Sequence, residues 1–327
     1  MVKHKKMLSL LLLTVFVFSL AGCGVMGGAK KTPLETLVEA QENMKNLKGI
    51  KEKITVQNDD NTLGLGMDAE SIVTYEFDEE KGYVETNTDG DIVSLYITKD
   101  AIYLKDGETD QYINLTGSLV GDMMLTMVNF AELNDEYKKF NEQIMNTVEE
   151  DDVTMEDAEI TVNGKQEKVK KISLTLSEDK IRDIYAEYIE SMAKKIMASL
   201  TEDLADFQIE MEQSITGEEM SEEEKESVKK GLQEELDRQL KEQVDSIEFS
   251  DLVIVFYIKD GIILKKEESY TMKVDGKESK SKTVIEVLEY GDDVKCPEIP
   301  EDKIISLDEY MEFQLDGLED LLEEAEE

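Results

Sequence analysis

The chain has no tryptophan, one histidine, two cysteines and three prolines in 327 residues, and each shortage removes a class of function. The histidine is His4, inside a segment that reads as a signal to be cut away. A mature chain without histidine has no Ser-His-Asp or Cys-His nucleophilic site and no His-ligated zinc. The cysteines are Cys23 and Cys296. With Cys23 committed to an anchor, Cys296 has no partner, so there is no disulfide framework. Cys296 precedes Pro297 with no base nearby in sequence, and reads as a half-buried small residue rather than a nucleophile. The lack of tryptophan weakens a carbohydrate-stacking reading. Long Pro/Gly/Ser tracts are missing too, so most of the chain is expected to fold, and 40% hydrophobic residues suffice for a sizeable core.

What is present first is a signal. Lys3, Lys5 and Lys6 form a charged start, Met7 to Leu20 an apolar run, and Leu20-Ala21-Gly22-Cys23 closes it. Small residues before a cut are how a secretory signal ends. A cysteine directly after them makes the pattern resemble a bacterial lipobox, which implies a diacylglycerol on Cys23 and a mature chain starting there. The alternatives are a plain signal peptide with a chance cysteine, or one transmembrane helix. The apolar run is about 14 residues, short of the roughly 20 that cross a bilayer. The expected location is therefore the extracytoplasmic face of the cell membrane, held by lipid.

Positive charge is scarce. Loss of residues 1–22 removes three of the 36 basic residues, leaving 33 against 77 acidic ones, a formal charge of −44. Such a surface repels nucleic acid. It also repels anionic headgroups, so attachment falls to the acyl chains on Cys23 rather than to a polybasic patch. Solubility accounts for the acidity. Hard-cation binding is the alternative, but no D-x-D-x-D-G-type loop is present, and Asp59-Asp60-Asn61 and Asp89-Gly90-Asp91 read as turns. No cofactor and no metal site is expected.

Along the chain, 23–31 is the lipidated cysteine and a short tether. Thr32, Pro33 and Glu35 then give an N-cap, a proline at the first helical position and a capping box. Leu34, Leu37, Val38, Met44 and Leu47 follow at helical spacing until Gly49. From Ile50 the period becomes two. Strands are predicted at 50–57, 67–77, 82–88, 91–98, 101–105 and 110–115, separated at hairpin spacing. In 71–77, Val73, Tyr75 and Phe77 share one face, and the strand reads as half-buried. Residues 118–148 turn helical, with Met123, Met127 and Phe130 on the apolar stripe. A second hairpin is predicted at 158–163 and 166–176, turning at Asn163-Gly164.

Residues 178–246 then read as an inserted antiparallel helical hairpin. Its first arm breaks at Thr216-Gly217 and its second restarts after Ser221, with Glu224 as capping-box partner. Strands resume at 248–258, 261–274 and 282–290. Leu252 to Phe256 is apolar on both faces, as in a strand covered on both sides. After Cys296-Pro297 and Pro300, Ser306 and Glu309 open a last, acidic helix over 306–327.

The run Thr32-Pro33-Leu34-Glu35-Thr36-Leu37-Val38-Glu39-Ala40 into Met44-Lys45-Asn46-Leu47-Lys48-Gly49-Ile50-Lys51, set between a lipobox and a long meander, resembles the LolA/LppX-type lipoprotein carrier superfamily in a Gram-positive version. The resemblance implies an α+β fold over 32–305: a strongly bent antiparallel β-sheet, or half-barrel, with helices on its concave side and acyl chains or other apolar molecules between. The family has no portable catalytic motif, so no catalytic residue carries over. The helical hairpin at 178–246 and the acidity depart from it.

Three functions follow. The first is a membrane-tethered carrier of a lipid-like ligand, with Val73, Tyr75, Phe77, Met123, Met127, Phe130, Leu174 and Phe256 as the apolar lining; methionine is an adaptable lining residue. The second is a structural or interaction module of the envelope whose hairpin docks a protein partner. The third is an enzyme using Asp151/Asp152 or Glu149/Glu150, but these lie in charge runs without apolar walls to shift a pKa. The reading taken is the non-enzymatic carrier.

Overall fold

The structure is a computed structural model. It describes residues 31–58, 69–88, 91–105, 110–118, 142–184, 220–245, 247–274 and 277–312, with a few isolated helical positions between 121 and 213. Helix α1 spans Pro33–Lys45. The Thr32 hydroxyl accepts from the Glu35 N–H at 3.2 Å, and the Glu35 carboxylate accepts from the Thr32 N–H at 2.8 Å. Two of the donors that every helix start leaves unpaired are thereby satisfied, with Pro33 occupying a position that needs no donor.

Among the described residues, twelve strands follow in one sheet. They are β1 (Gly49–Asn58), β2 (Ala69–Glu76), β3 (Lys81–Thr88), β4 (Asp91–Ile97), β5 (Ile102–Lys105), β6 (Tyr112–Asn114), β7 (Val153–Val162), β8 (Lys165–Leu176), β9 (Ile247–Lys259), β10 (Ile262–Val274), β11 (Lys277–Tyr290) and β12 (Ile304–Ser306). Helix α2, Glu222–Asp245, lies between β8 and β9 and starts from a Ser221–Glu224 capping box. The strand order is β12-β6-β5-β4-β3-β2-β1-β11-β10-β9-β8-β7. Every pairing is antiparallel except β12 beside β6. Two meanders are thus joined where β1 pairs with β11.

The sheet is curved and unclosed. The Asn163 side-chain amide, in the β7–β8 turn, donates to the Leu288 carbonyl of β11 at 2.7 Å. At 4.7–4.9 Å per strand, a flat sheet would hold those elements roughly 14 to 19 Å apart. Two turns have the sequence that a tight hairpin demands. Asn163 and Gly164 have φ of 53° and 71°, and Asp260 and Gly261 have 50° and 78°. Gly261 is held further: a Cβ there would lie 2.6 Å from the Asn43 amide nitrogen, which donates to the Gly261 carbonyl at 3.0 Å.

One face of the sheet, here the core face, carries the main cluster. Leu37, Ala40 and Met44 of α1 join Ile54, Ile172 and Phe256 there. A second, smaller cluster contains Val162, Val169 and Leu264. In β7 the two clusters draw on opposite faces: Val153 and Met155 are shielded in its first half, but Ala158, Ile160 and Val162 in its second. That change of phase explains why alternation predicted only 158–163. Strand β11 likewise begins earlier than expected, because Lys277 to Ser281 pair with β10 through the backbone without apolar alternation.

Strand β2 is buried on both faces, not one. Val73 and Tyr75 are buried on the core face, and Thr74 and Glu76 are buried on the other. The cover is the stretch that follows β11. Gly291 N–H donates to the Gly49 carbonyl at 2.9 Å, and a Cβ on Gly49 would meet the Val294 Cβ at 3.0 Å. The stretch continues over β2, where Cys296 N–H donates to Glu76 at 2.8 Å, and delivers β12 to the far edge. In β9, Leu252, Ile254 and Phe256 are buried while Val253 and Val255 are half-buried. The helices expected over 118–148 and in the first hairpin arm fall largely outside the described residues. Of them, 142–147 and 178–184 are helical. Among the described residues no helix is long and apolar enough to cross a membrane.

Candidate functional site

The core face is not wholly apolar. In β1 the alternation that points Ile50 and Ile54 into the core places Glu52 between them, and Glu52 is 3% exposed. Its cross-strand neighbours are Val73 on β2 and Val287 on β11, both buried. A carboxylate in such a place has lost its water without gaining the donors that replace it. Burial pushes the Glu52 carboxyl up to about 8, and the Lys266 ammonium draws it back only in part. The Glu52 Oε1 atom has no hydrogen-bond partner among the described residues.

The neighbouring row of the same face, two residues along β1 from Glu52, carries polar groups at both ends. Lys266 aligns with Ile285, Ile285 with Ile54, Ile54 with Ser71 and Ser71 with Thr86. At one end of that row the Ser71 and Thr86 hydroxyls bond at 2.8 Å. At the other, the Lys266 ammonium pairs with Glu268 at 2.9 Å, their side chains 8% and 12% exposed. From α1, Gln41 is 3% exposed and its Oε1 is likewise without a partner among the described residues. Tyr75 is nearby: burial, then the charge of Glu52, holds its phenol well above the usual range. Glu52, with Lys266 one row away and Glu268 paired to that lysine, thus forms a polar island in an apolar face.

The residues expected to line an apolar site divide. Val73, Tyr75, Leu174 and Phe256 are buried in the main cluster with Glu52's neighbours. Phe77 lies past the end of β2, is 40% exposed and stacks on Tyr75 with ring centroids 6.0 Å apart. Met123, Met127 and Phe130, like Cys23, lie outside the described residues. Asp152 and Glu149 act locally, both pairing with Lys180, at 2.6 and 2.8 Å. The Lys180 hydrogen bond holds Asp152 below the usual carboxylate range, the wrong direction for a general acid at neutral pH.

Cys296 is buried, and burial followed by the charge of Glu76 raises its thiol to about 11. It therefore stays a thiol at neutral pH and is a poor nucleophile. Among the described residues no group of three or more His, Cys, Asp or Glu is placed to hold a metal. A depression of about 600 Å³ opens beside Asp157, Glu159, Lys168, Lys170 and Lys259. Its charges are matched, Lys170 with Asp157 at 2.5 Å and Lys168 with Glu159 at 3.8 Å, and Ala158, Val169 and Ile258 complete its lining.

Sequence reasoning passed over Glu52, Lys266, Glu268 and Gln41. The signal for Glu52 was present, since it is in phase with Ile50, Ile54 and Val56. Lys266 and Glu268 were hidden by register shifts between Ile263 and Lys265 and between Ser269 and Thr271, which break the alternation of β10.

No family model matches the chain, and no curated protein sequence matches it. Two solved structures are similar in outline. One is the Mycobacterium tuberculosis lipoprotein LppX, with a TM-score of 0.35 and 10% identity over 81% of this chain and 98% of that one. The other is a beta-barrel-like protein of a domain of unknown function from Brucella abortus, with a TM-score of 0.18 and 8% identity over 74% of this chain and 100% of the other.

Proposed function

We propose that this chain is a lipoprotein held on the extracytoplasmic face of the cell membrane through Cys23, and that its curved sheet binds a lipid-like molecule against the core face without catalysing a reaction. The observation that carries the reading is the polar island around Glu52. A sheet face built solely for packing gains nothing from a buried carboxyl with an unpaired oxygen, and a leucine there would be more stable. Ligand sites are mostly apolar with a few placed polar groups, and Val73, Tyr75, Leu174 and Phe256 supply the apolar surroundings. The raised thiol of Cys296 and the ion-paired Asp152 support a binding role rather than a chemical one. The domain occupies 32–305, with 178–246 inserted and 306–327 as an acidic end.

Native mass spectrometry of the full-length lipoprotein taken from membranes tests this. Co-purified lipid in one-to-one stoichiometry, beyond the anchor on Cys23, supports binding. A chain that carries no adduct and takes up none from added lipid overturns it. Cys23→Ala tests the anchor separately: the variant is expected to lose lipid incorporation and leave the membrane, and continued membrane attachment refutes the lipobox.

A second reading rests on α2. Residues 222–224, 226, 227, 230, 231, 234 and 235 of this helix are exposed, which favours a docking arm for a protein partner in the envelope. A stable one-to-one complex that is lost on deleting 222–245, with lipid uptake unchanged, would favour that reading.

A further inference from the structure

Two large apolar side chains that the fold leaves in water stand at the same end of the sheet. Phe77 is 40% exposed and Tyr290 is 48% exposed. They flank the start of β1: the Phe77 N–H donates to the Lys48 carbonyl at 2.8 Å, and the Gly291 N–H to the Gly49 carbonyl at 2.9 Å. Ile50 pairs with Tyr290 on one side and with Tyr75 on the other, and Phe77 stacks on Tyr75. Tyr75 and Tyr290 are therefore two strands apart on one face, about 10 Å from backbone to backbone.

The surroundings of both rings are acidic. Phe77 is followed by Asp78, Glu79 and Glu80, and Tyr290 is flanked by Glu289, Asp292 and Asp293, all of them exposed. Lys81, Lys99 and Lys48 answer Glu79, Glu80 and Asp292 at 3.5, 3.8 and 3.5 Å. Among the described residues Asp78, Glu289 and Asp293 have no ion pair. Lys295 is taken by Glu76 at 2.6 Å and Lys259 by Glu167 at 2.5 Å. Aromatic faces attract cations as carboxylates do. The chain's own lysines use this at Tyr112 and Tyr257, 5.7 and 5.8 Å from the ring centroids. Among the described residues no cation stands over Phe77 or Tyr290.

We infer that this end of the sheet docks an arginine-rich segment of another protein, its guanidinium groups stacked on Phe77 and Tyr290 and paired with the carboxylates beside them. Arginine suits both, because its planar group stacks on rings and bonds carboxylates through two N–H groups at once. A single ammonium head cannot serve two rings set two strands apart, whereas several cations on one chain can. An anionic lipid surface, or a second copy of this acidic chain, meets the same carboxylates as repulsion. The rings lie at the exposed rim of the fold, so the inference does not depend on lipid binding against the core face.

A fluorescent peptide of alternating arginine and glycine, titrated into the full-length lipoprotein at physiological ionic strength and read by anisotropy, tests this. Saturable one-to-one binding is expected, tighter than that of a lysine–glycine peptide of the same length. Phe77→Ser with Tyr290→Ser leaves every charge in place and is expected to weaken the arginine peptide roughly fivefold or more. Tyr290→Ser alone keeps the Phe77–Tyr75 stack, so it serves if the double variant melts early, and is expected to weaken binding about twofold or more. Tyr290→Phe keeps the ring and is expected to bind as wild type does. So is Ile92→Ser, whose side chain is 51% exposed beside Asn87 of β3. If the serine variants bind the peptide like wild type, or Ile92→Ser weakens it as much as they do, acidity alone attracts it and the inference is overturned. A lysine peptide that binds as tightly as the arginine one overturns it too. So does a double variant that keeps the peptide but loses phosphatidylglycerol vesicles or a concentration-dependent dimer, which makes the surface a membrane contact or an interface between copies.

Discussion

Glu52 ties folding stability to pH in a direction opposite to most carboxylates. Its carboxyl is raised from 4.5 to about 8 in the folded chain, while the unfolded chain leaves it near the lower value. Between those limits the folded state holds a proton that the unfolded state releases, so stability is fully present below about pH 4.5 and is lost as pH rises toward 8. Each pH unit in that window costs about 1.4 kcal/mol, and the whole shift is worth on the order of 5 kcal/mol. No discount for solvent screening applies, since the residue is 3% exposed. The assay is urea unfolding of the full-length chain at pH 5, 6 and 7, wild type beside Glu52→Gln, which removes the titration and keeps the shape. Wild type is expected to lose about 3 kcal/mol more than the variant between pH 5 and pH 7. The surface carboxylates contribute equally to both proteins, so the difference isolates one group. Parallel stability curves for the two would refute the burial argument.

Three further outcomes follow from the geometry. Glu52→Leu is expected to raise stability at pH 8 by about 2 kcal/mol or more, because it replaces a desolvated acid with a residue that its neighbours favour; a lower melting temperature would count against the island being costly. Gly261→Ala is expected to cost about 1–3 kcal/mol through both its φ of 78° and the approach of Asn43,. Gly164→Ala, where nothing lies within 4 Å, should cost about 1 kcal/mol from φ alone, and equal losses at the two sites would dismiss the Asn43 contact. Glu76→Ala removes the acceptor of the Cys296 N–H and of Lys295. It is expected to cost about 1–3 kcal/mol and to speed alkylation of Cys296 under native conditions, and an unchanged labelling rate would refute the role of Glu76 as a clasp.

Much of the fold was legible because it is written in local chemistry. The Thr32–Glu35, Ser221–Glu224 and Ser306–Glu309 capping boxes form as their spacing predicts. The turns at Asn163-Gly164 and Asp260-Gly261 take the positive φ that those residues favour. What could not be read was relational. Alternation says which residues of β2 share a face, but not that residues 294–296 would cover its second face and bury Glu76. The same limit applies to the site. Glu52 announced itself by standing in an apolar phase, yet charge runs elsewhere in so acidic a chain made one more glutamate look like surface. Lys266 and Glu268 were obscured by the bulges of β10, and Gln41 by helical spacing that leaves its burial to the neighbours of α1.

The pairing of β1 with β11 sets a timetable for this chain. A segment emerging first can form the β2–β3–β4 meander at once, since those hairpins are local. Ile54, however, has to wait for Ile285 before its other edge is filled, and β6 waits longer still for Ile304. Closure of such distant pairs is slow, and until it happens the apolar face of the first meander has no second half to rest on. With export as proposed above, that interval is spent outside the cell. The 77 acidic residues then serve the unfolded molecule as much as the folded one, keeping half-made copies apart until the last strand arrives.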